Sequence, residues 1–457
     1  MKFKTTIILA GILIILLAFV FLFESKDEER KDEEGKLVFL SSDDIQKIAL
    51  QREDKTISFE KTEKDEWLIT QPLEAKADKY EVDRLGNDFS DLRIERVVEE
   101  DPEDLKKYEI PQKEISLWLK DKNKPVKILV GMENPLDKTF FAKRDDETRV
   151  VLISSQLKDM MEKSLFDFRQ KDIFRFETDE VKSVKLKAKK ILWEAVNKEE
   201  EWFLKKPVEA LANTSKIDNL LTSLSNLKAK EFVSEEKSEN EIKKYSLENP
   251  DYKITLFMPM ANQEVTFFLH KEEEKLYATT SLSSKIIEVE DALLSDLEKE
   301  AAELREKEVA NFYSWEANRL HIKKGDINWT FVKDEEDNWS FESPDEGEAD
   351  RNKIQTFIRK IESLEAEEFI DPPLSLKDYG LDSPQAEVKI WWKEDEKKVQ
   401  EITILIGSED KETKKVVVKN ARFDYLFKVD AAFLEEFPKE TNNWKSLEEK
   451  EEEKEIQ

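Results

Sequence analysis

The sequence repeats itself: a Trp that is followed five positions later by a Pro occurs three times, at nearly equal intervals. The segments are WLITQP from Trp67, WFLKKP from Trp202 and WSFESP from Trp339, so the intervals are 135 and 137 residues. Two alternating runs precede each Trp, and a period of two predicts strands with one buried face. The Pro ends the third strand, because it has no N–H to donate to a sheet. A chain of 457 residues is therefore expected to contain three copies of one unit.

Each copy continues with a predicted helix. Asp78, Asn213 and Asp350 each follow an Ala and stand where an N-cap residue is needed. Apolar residues then recur at i, i+3, i+4 and i+7, which defines one buried stripe along a helix. Gly86 replaces an apolar residue of this stripe in the first copy and is expected to weaken that helix by about 1 kcal/mol relative to Ala.

A Tyr marks the return from helix to strands in every copy. Tyr108, Tyr245 and Tyr379 each lead through a Pro into further alternating runs, and a second helix, such as Ser155 to Arg169, closes the copy. The end of that helix, FRQKDIFRF, matches LREKEVANF at the end of the second copy. These signals predict an α+β fold of three tandem modules, each roughly βββ-α-ββββ-α, with mostly antiparallel sheet and packed helices.

The markers give the expected bounds of the modules. We expect module 1 at 36–172, module 2 at 173–309, module 3 at 310–447 and a disordered acidic tail at 448–457. Trp at a strand end is more often a core anchor than a ligand platform, so the repeated markers are interpreted as structural. They are Trp67, Pro72, Asp78, Tyr108, Trp202, Pro207, Asn213, Tyr245, Trp339, Pro344, Asp350 and Tyr379.

An uncharged run from Thr5 to Phe23 precedes the modules. As a helix this run would be about 28 Å long, close to the hydrocarbon thickness of a bilayer. It is longer than the core of a signal peptide and ends without an A-x-A-like site, so a retained transmembrane helix over residues 1–23 is favoured over a cleaved signal. Residues 24–35 then form a charged tether. Lys2 and Lys4 precede the run, which predicts a single-pass protein of the cytoplasmic (inner) membrane with a cytoplasmic N-terminus and an extracytoplasmic bulk.

Composition excludes several classes of function. The net charge of −29 argues against nucleic acid as a partner, and the absence of Cys excludes disulfides, thiol nucleophiles and Cys-based metal sites. The acidic segments DEGEAD and EEDPED lack the spacing of a calcium loop. We therefore expect no catalytic, cofactor-binding or metal site, and a protein that is not an enzyme. A hydrolase with a pair of carboxylates stays a minor alternative.

Trp391 and Trp392 are the candidate ligand contacts. Adjacent residues of a strand point to opposite faces of the sheet, so one of the two side chains leaves the core face. A glycan or a peptide is the class of ligand that such an exposed ring would take.

The anchor, the strand end WLITQP, the Ala-Asp helix start and the segment YGLDSP together resemble domain-of-unknown-function family 4340. The resemblance covers nearly everything after the anchor, as about three copies of the family's unit. It implies a bacterial membrane-anchored envelope protein, often encoded beside a Gld-like ABC transporter, and it supplies no catalytic residues. The resulting expectation is an extracytoplasmic scaffold or accessory protein of an envelope complex, with ABC transporter subunits as partners. The alternative is an extracytoplasmic glycan- or peptide-binding protein.

Overall fold

The computed structural model describes residues 35–52, 55–344, 346–393, 399–437, 439–440 and 444–445. Within these residues the chain forms three nine-stranded sheets and divides into two compact units at Asp172/Ile173. The first unit contains the first sheet, and the second unit contains the other two. The predicted anchor and the predicted acidic tail lie outside the described residues. Across the described ranges no helix is both long and apolar enough to cross a membrane.

The first sheet follows the order β4-β3-β2-β1-β6-β7-β8-β9-β5, and neighbouring strands are antiparallel. Its strands are β1 (Ile45–Arg52), β2 (Lys55–Lys61), β3 (Trp67–Gln71), β4 (Ala75–Lys76), β5 (Ile94–Glu99), β6 (Lys113–Leu119), β7 (Val126–Glu133), β8 (Phe140–Arg144) and β9 (Val150–Ile153). Helix α1 (Lys79–Ser90) follows β4, and helix α2 (Gln156–Glu162) follows β9.

The second and third sheets repeat this order and are antiparallel as well. The second sheet consists of β10 (Ser183–Ala188), β11 (Leu192–Lys198), β12 (Glu201–Lys206), β13 (Ala210–Leu211), β14 (Ala229–Ser234), β15 (Tyr252–Met258), β16 (Gln263–Glu272), β17 (Lys275–Thr280) and β18 (Ile286–Val289). The third consists of β19 (Ala317–Lys324), β20 (Ile327–Lys333), β21 (Trp339–Ser343), β22 (Gly347–Glu348), β23 (Glu368–Ile370), β24 (Ala386–Lys393), β25 (Val399–Asp410), β26 (Lys415–Asn420) and β27 (Leu426–Asp430).

Helices cover one face of each sheet. The remaining α-helices are α3 (Thr214–Ser225), α4 (Glu239–Lys244), α5 (Leu294–Leu297) and α6 (Arg351–Glu362). Short 3-10 helices occupy Ser42–Asp44, Leu105–Tyr108, Thr178–Glu180, Asp291–Leu293, Leu376–Tyr379 and Ala431–Glu436. In α1, α3 and α6 the apolar stripe that the sequence predicts is buried, so these three helices cover the hydrophobic face of their sheets.

The antiparallel α+β fold is confirmed, but each sheet contains two more strands than the pattern predicted. One extra strand, β4 in the first sheet, has only two residues, which is too short for alternation to be read. The other, β5, lies at the edge of the sheet and buries none of its side chains fully. It therefore has no buried face from which a strand could be predicted.

The predicted second helix, Ser155 to Arg169, was wrong in extent, because α2 ends at Glu162. After it the carboxylate of Asp167 accepts hydrogen bonds from the amide and the hydroxyl of Ser164, both at 2.7 Å. Such local side-chain bonds favour a turn over continued helix. The last residue, Arg169, forms an isolated β-bridge with Ala77.

Candidate functional site

The three marker Trp side chains stand at the third strand of each sheet, and two of them, Trp67 and Trp202, donate hydrogen bonds to the helix that follows. All three are buried, exposing 3% of their surface or less. The indole N–H of Trp67 donates to Asp83 of α1 at 2.7 Å, and that of Trp202 donates to Asp218 of α3 at 3.1 Å. These rings lie inside their modules, where a ligand would have to displace the helix to reach them.

The marker Pro and N-cap residues lie at the two ends of the connection between strand and helix. A cis peptide bond precedes each marker Pro; the bonds are Gln71–Pro72, Lys206–Pro207 and Ser343–Pro344. The cap side chains of Asp78, Asn213 and Asp350 accept backbone N–H groups from the first turn of α1, α3 and α6. This satisfies amides that have no partner inside the helix.

The marker Tyr residues hold the segment that enters the sixth strand of each sheet. The hydroxyl of Tyr108 donates to Glu99 at 2.7 Å, and that of Tyr245 donates to the carbonyl of Val233 at 3.1 Å. Tyr379 ends a 3-10 helix, and its carbonyl oxygen lies where a Cβ on Gly407 would come within 2.2 Å. A side chain at residue 407 is therefore excluded by the backbone of the Tyr segment.

Trp391 and Trp392 are consecutive residues of β24, and their side chains have different surroundings. Trp392 packs on the core of the third sheet, and its ring centroid is 5.7 Å from that of Phe312. Trp391 donates its indole N–H to Glu401 at 2.6 Å, and the guanidinium of Arg319 lies 5.2 Å from the centroid of its ring. Both rings thus have contacts within the module, and the guanidinium of Arg319 lies over one face of Trp391.

Two polar cavities flank helix α1 in the first unit. One, of about 250 Å³, is lined in part by Glu81 and Lys163, which form an ion pair. The other, of about 350 Å³, contains Asp65. Hydrogen bonds from Lys61 and Lys79 lower the pKa of the Asp65 carboxyl to about 2. Ion pairs within the module therefore engage part of the charged lining of each cavity.

A buried guanidinium joins the second and third sheets. The side chain of Arg305 is 3% exposed, and its Nη1 donates to both carboxylate oxygens of Asp371, at 2.8 and 3.0 Å. The guanidinium carbon lies 3.8 Å from the ring centroid of Phe369 and 4.5 Å from that of Tyr425. One arginine is thus enclosed by two aromatic rings and a carboxylate, a geometry that suits its flat, weakly hydrated charge.

Further contacts connect the second and third sheets, and together with those of Arg305 they are called the joint below. The amide of Leu211 donates to the phenol oxygen of Tyr425 at 3.4 Å, and burial raises the pKa of that phenol to about 12. Asn420 donates its side-chain amide to the carbonyl of Val309 at 2.8 Å. Leu211 and Val309 also belong to the same hydrophobic cluster as the core of the third sheet. The two sheets are therefore fixed to each other by shared core as well as by polar contacts.

The sequence contains one signal for this joint. The match of FRQKDIFRF to LREKEVANF places Arg169 and Arg305 at corresponding positions, and both side chains are buried. An Arg that is buried at the same position of two matching segments indicates a structural role. Its partners could not be predicted, because Asp371 and Tyr425 lie far along the chain and share no spacing with it.

A family model described as "Domain of unknown function (DUF4340)" matches residues 67–241, 202–375 and 339–451. The chain belongs to this family. Each DUF4340 match begins at a marker Trp, and the first two continue into the following module. The three matches are consistent with about three copies of the family's unit.

A search of curated proteins gives no match. Among solved structures, a DNA polymerase sliding clamp from Pseudomonas aeruginosa with ligand is 8% identical, covering 86% of this chain and 93% of that chain, with a TM-score of 0.15. The clamp from the same organism in another structure is 7% identical, covering 84% and 91%, with a TM-score of 0.17. TM-scores this low support no argument about the fold or function of this DUF4340 protein.

Proposed function

We propose that this protein is a membrane-anchored extracytoplasmic scaffold or accessory protein of a bacterial envelope complex, with subunits of an ABC transporter as its partners. In this proposal residues 1–23 form a single-pass anchor in the cytoplasmic membrane, with the N-terminus in the cytoplasm and the three sheets outside. The length of the apolar run in the sequence and the family resemblance support this setting.

The observation that carries the scaffold role is the joint at Arg305. Modules connected by a polar, small interface normally move relative to each other. Here the second and third sheets share a hydrophobic cluster and enclose a charged side chain between them. A fixed geometry of this kind is what a protein needs if it is to hold partners at defined positions.

The alternative, a glycan- or peptide-binding protein that uses Trp391 and Trp392, has less support. The ring of Trp391 already lies beneath Arg319, and Trp392 packs on its own core. This alternative predicts that a soluble ligand raises the melting temperature of the protein, since a ligand that binds only the folded state stabilises it.

The test is to crosslink the full-length protein in its native membrane, purify it and identify the proteins that accompany it. We expect ABC transporter subunits, and we expect them to be lost when residues 1–23 are replaced by a cleavable signal. Arg305→Met should reduce their recovery with the anchor intact, whereas Arg319→Met, which leaves the joint unchanged, should not. Recovery of the protein alone from both the anchored and the cleaved form would refute the scaffold role.

A further inference from the structure

Two exposed aromatic rings lie side by side at the entry to the third sheet. Tyr313 and Trp315 are 64% and 68% exposed, their ring centroids are 6.0 Å apart, and their planes differ by 26°. Large aromatic side chains are strongly enriched at the centre of protein interfaces. This pair is called the Tyr-Trp surface below.

The other two modules show that the fold does not require aromatic residues here. The segments LSSDDI, FETDEV and FYSWEA lead into the first strand of each sheet, and their second and fourth residues are exposed in all three. In each segment the amide of the fifth residue bonds to the carbonyl of the second, at 3.1, 3.2 and 3.0 Å. The same turn thus carries Ser and Asp in the first module, Glu and Asp in the second, and Tyr313 and Trp315 in the third. The aromatic pair is a property of the third module that folding does not explain.

Helix α6 and strand β20 hold the Tyr-Trp surface in place. The buried Ser314 donates its amide N–H to Glu362 at 3.0 Å and accepts a hydrogen bond from the side chain of Gln355 at 3.1 Å. The carbonyl of Trp315 accepts from Lys333 at 3.1 Å. A surface whose backbone is already fixed loses little conformational entropy when it binds.

The charge beside the Tyr-Trp surface is negative. The carboxylate of Glu362 accepts a hydrogen bond from the backbone amide of Ser314. Glu362 is also one of three carboxylates whose charges affect the pKa of Glu308. Burial, and then the charges of Glu306, Glu365 and Glu362, raise the pKa of Glu308. Lys333, which bonds the carbonyl of Trp315, forms an ion pair with Asp337 at 3.3 Å. Aromatic faces next to an excess of carboxylates attract cations.

Two arginines of the same unit occupy comparable surroundings, and lysines lie over other rings of that unit. Arg305 lies between Phe369 and Tyr425 and pairs with Asp371. Arg319 likewise lies over the ring of Trp391 and pairs with a carboxylate. Arginine suits these places better than lysine, because its planar guanidinium stacks on a ring while it donates to a carboxylate.

We propose that Tyr313 and Trp315 form a docking surface for an arginine-bearing segment of a partner protein. The inference rests on the proposed function in one respect: the scaffold role supplies a reason for a protein partner. The binding itself belongs to the purified chain and can be measured without the membrane complex.

The test measures the binding of tetra-arginine amide and tetra-lysine amide to the full chain in detergent by titration calorimetry. The variant carries Tyr313→Glu and Trp315→Asp, the residues of the second module at the same positions, so the turn tolerates them. We expect the wild type to prefer the arginine peptide and the double variant to bind it at least about tenfold more weakly, because two cation–π contacts are lost. The two added carboxylates would strengthen a purely electrostatic contact, so a loss isolates the rings.

The matched control carries Met260→Asp and Leu282→Glu, which add the same charge at exposed apolar positions of the second module. It should bind the arginine peptide as the wild type does. Unchanged or tighter binding in the Tyr313/Trp315 variant, or an equal loss in the control, would overturn the proposal. Binding of a neutral oligosaccharide such as cellopentaose that depends on the two rings, without arginine binding, would overturn it in favour of a glycan. Lost copurification with retained peptide binding would count against the scaffold role alone.

Discussion

At the scale of single residues, two of the three marker Trp residues, Trp67 and Trp339, are accompanied by the same ion-pair arrangement. Asp65, at φ 61°, pairs with Lys61 and Lys79 at 2.7 and 2.5 Å. In the third module Asp337, at φ 65°, pairs with Lys333 and Arg351 at 3.3 and 3.7 Å. A left-handed turn before the Trp strand thus presents the same carboxylate to two cations in both modules, so the repeat extends beyond the residues that marked it.

The fastening of strand to helix predicts a coupling between Trp202 and Asp218. A double-mutant cycle with Trp202→Phe and Asp218→Ala should give about 1 kcal/mol, the net worth of a hydrogen bond that is partly shielded from water. Trp193 is buried in the same module, and its indole N–H has no hydrogen-bond partner among the described residues. The cycle of Trp193→Phe with Asp218→Ala, measured by equilibrium unfolding, should therefore give a value near zero. Equal coupling for both Trp residues would contradict the assignment.

The raised pKa of Glu308 predicts a pH-dependent effect on stability. Burial and neighbouring carboxylates raise this pKa in the folded state, so the protonated carboxyl favours the folded protein. This stabilisation is complete below the unfolded pKa of about 4.3. It is lost as the pH rises through the pKa of the folded state. Glu308→Gln should therefore raise the melting temperature at pH 7, with the gain shrinking towards pH 4. Glu335→Gln, at an exposed position, removes the same charge without the burial and should not show this trend. A gain independent of pH would refute the explanation.

At the scale of secondary-structure elements, the sequence predicts what is local and misses what is not. The apolar stripes and N-cap residues of α1, α3 and α6 were predicted correctly, because helical periodicity and capping are encoded within a dozen residues. The two-residue strands were missed because they are too short to show alternation. The edge strand β5 was missed because its partner, β9, lies far along the chain. The second helix was overextended because the turn at Ser164 depends on a side-chain hydrogen bond.

Gly86 gives a prediction at this scale. Ala in its place should stabilise α1 by up to about 1 kcal/mol through helix propensity, but its Cβ would lie 3.3 Å from Cδ1 of Ile45. We expect Gly86→Ala to stabilise the otherwise wild-type protein by less than this amount. In an Ile45→Val background, which lacks Cδ1, it should stabilise the protein by the full amount. Chemical denaturation of the four proteins tests this, and an equal gain in both backgrounds would show that contact with Ile45 does not matter.

At the scale of the whole molecule, the three sheets have the same strand order, but the side-chain contacts around them differ. The repeat, the family and the sheet class follow from the sequence, because strands and helices recur with their markers. The enclosure of Arg305 by Phe369, Tyr425 and Asp371 does not follow, since it depends on which faces of two modules meet. The same holds for the Tyr-Trp surface, whose exposure only the structure shows.

The measurement that tests the central claim most directly is the distance between the second and third modules in solution. The chain has no Cys, so Glu274→Cys and Lys411→Cys, both at exposed positions, place two spin labels without competing sites. Pulsed electron–electron double resonance should give one narrow distance distribution for the otherwise unchanged chain. After Arg305→Met the distribution should be broad, because the joint then loses its buried ion pair. A broad distribution before that substitution, or an equally narrow one after it, would contradict the account of a fixed pair of modules.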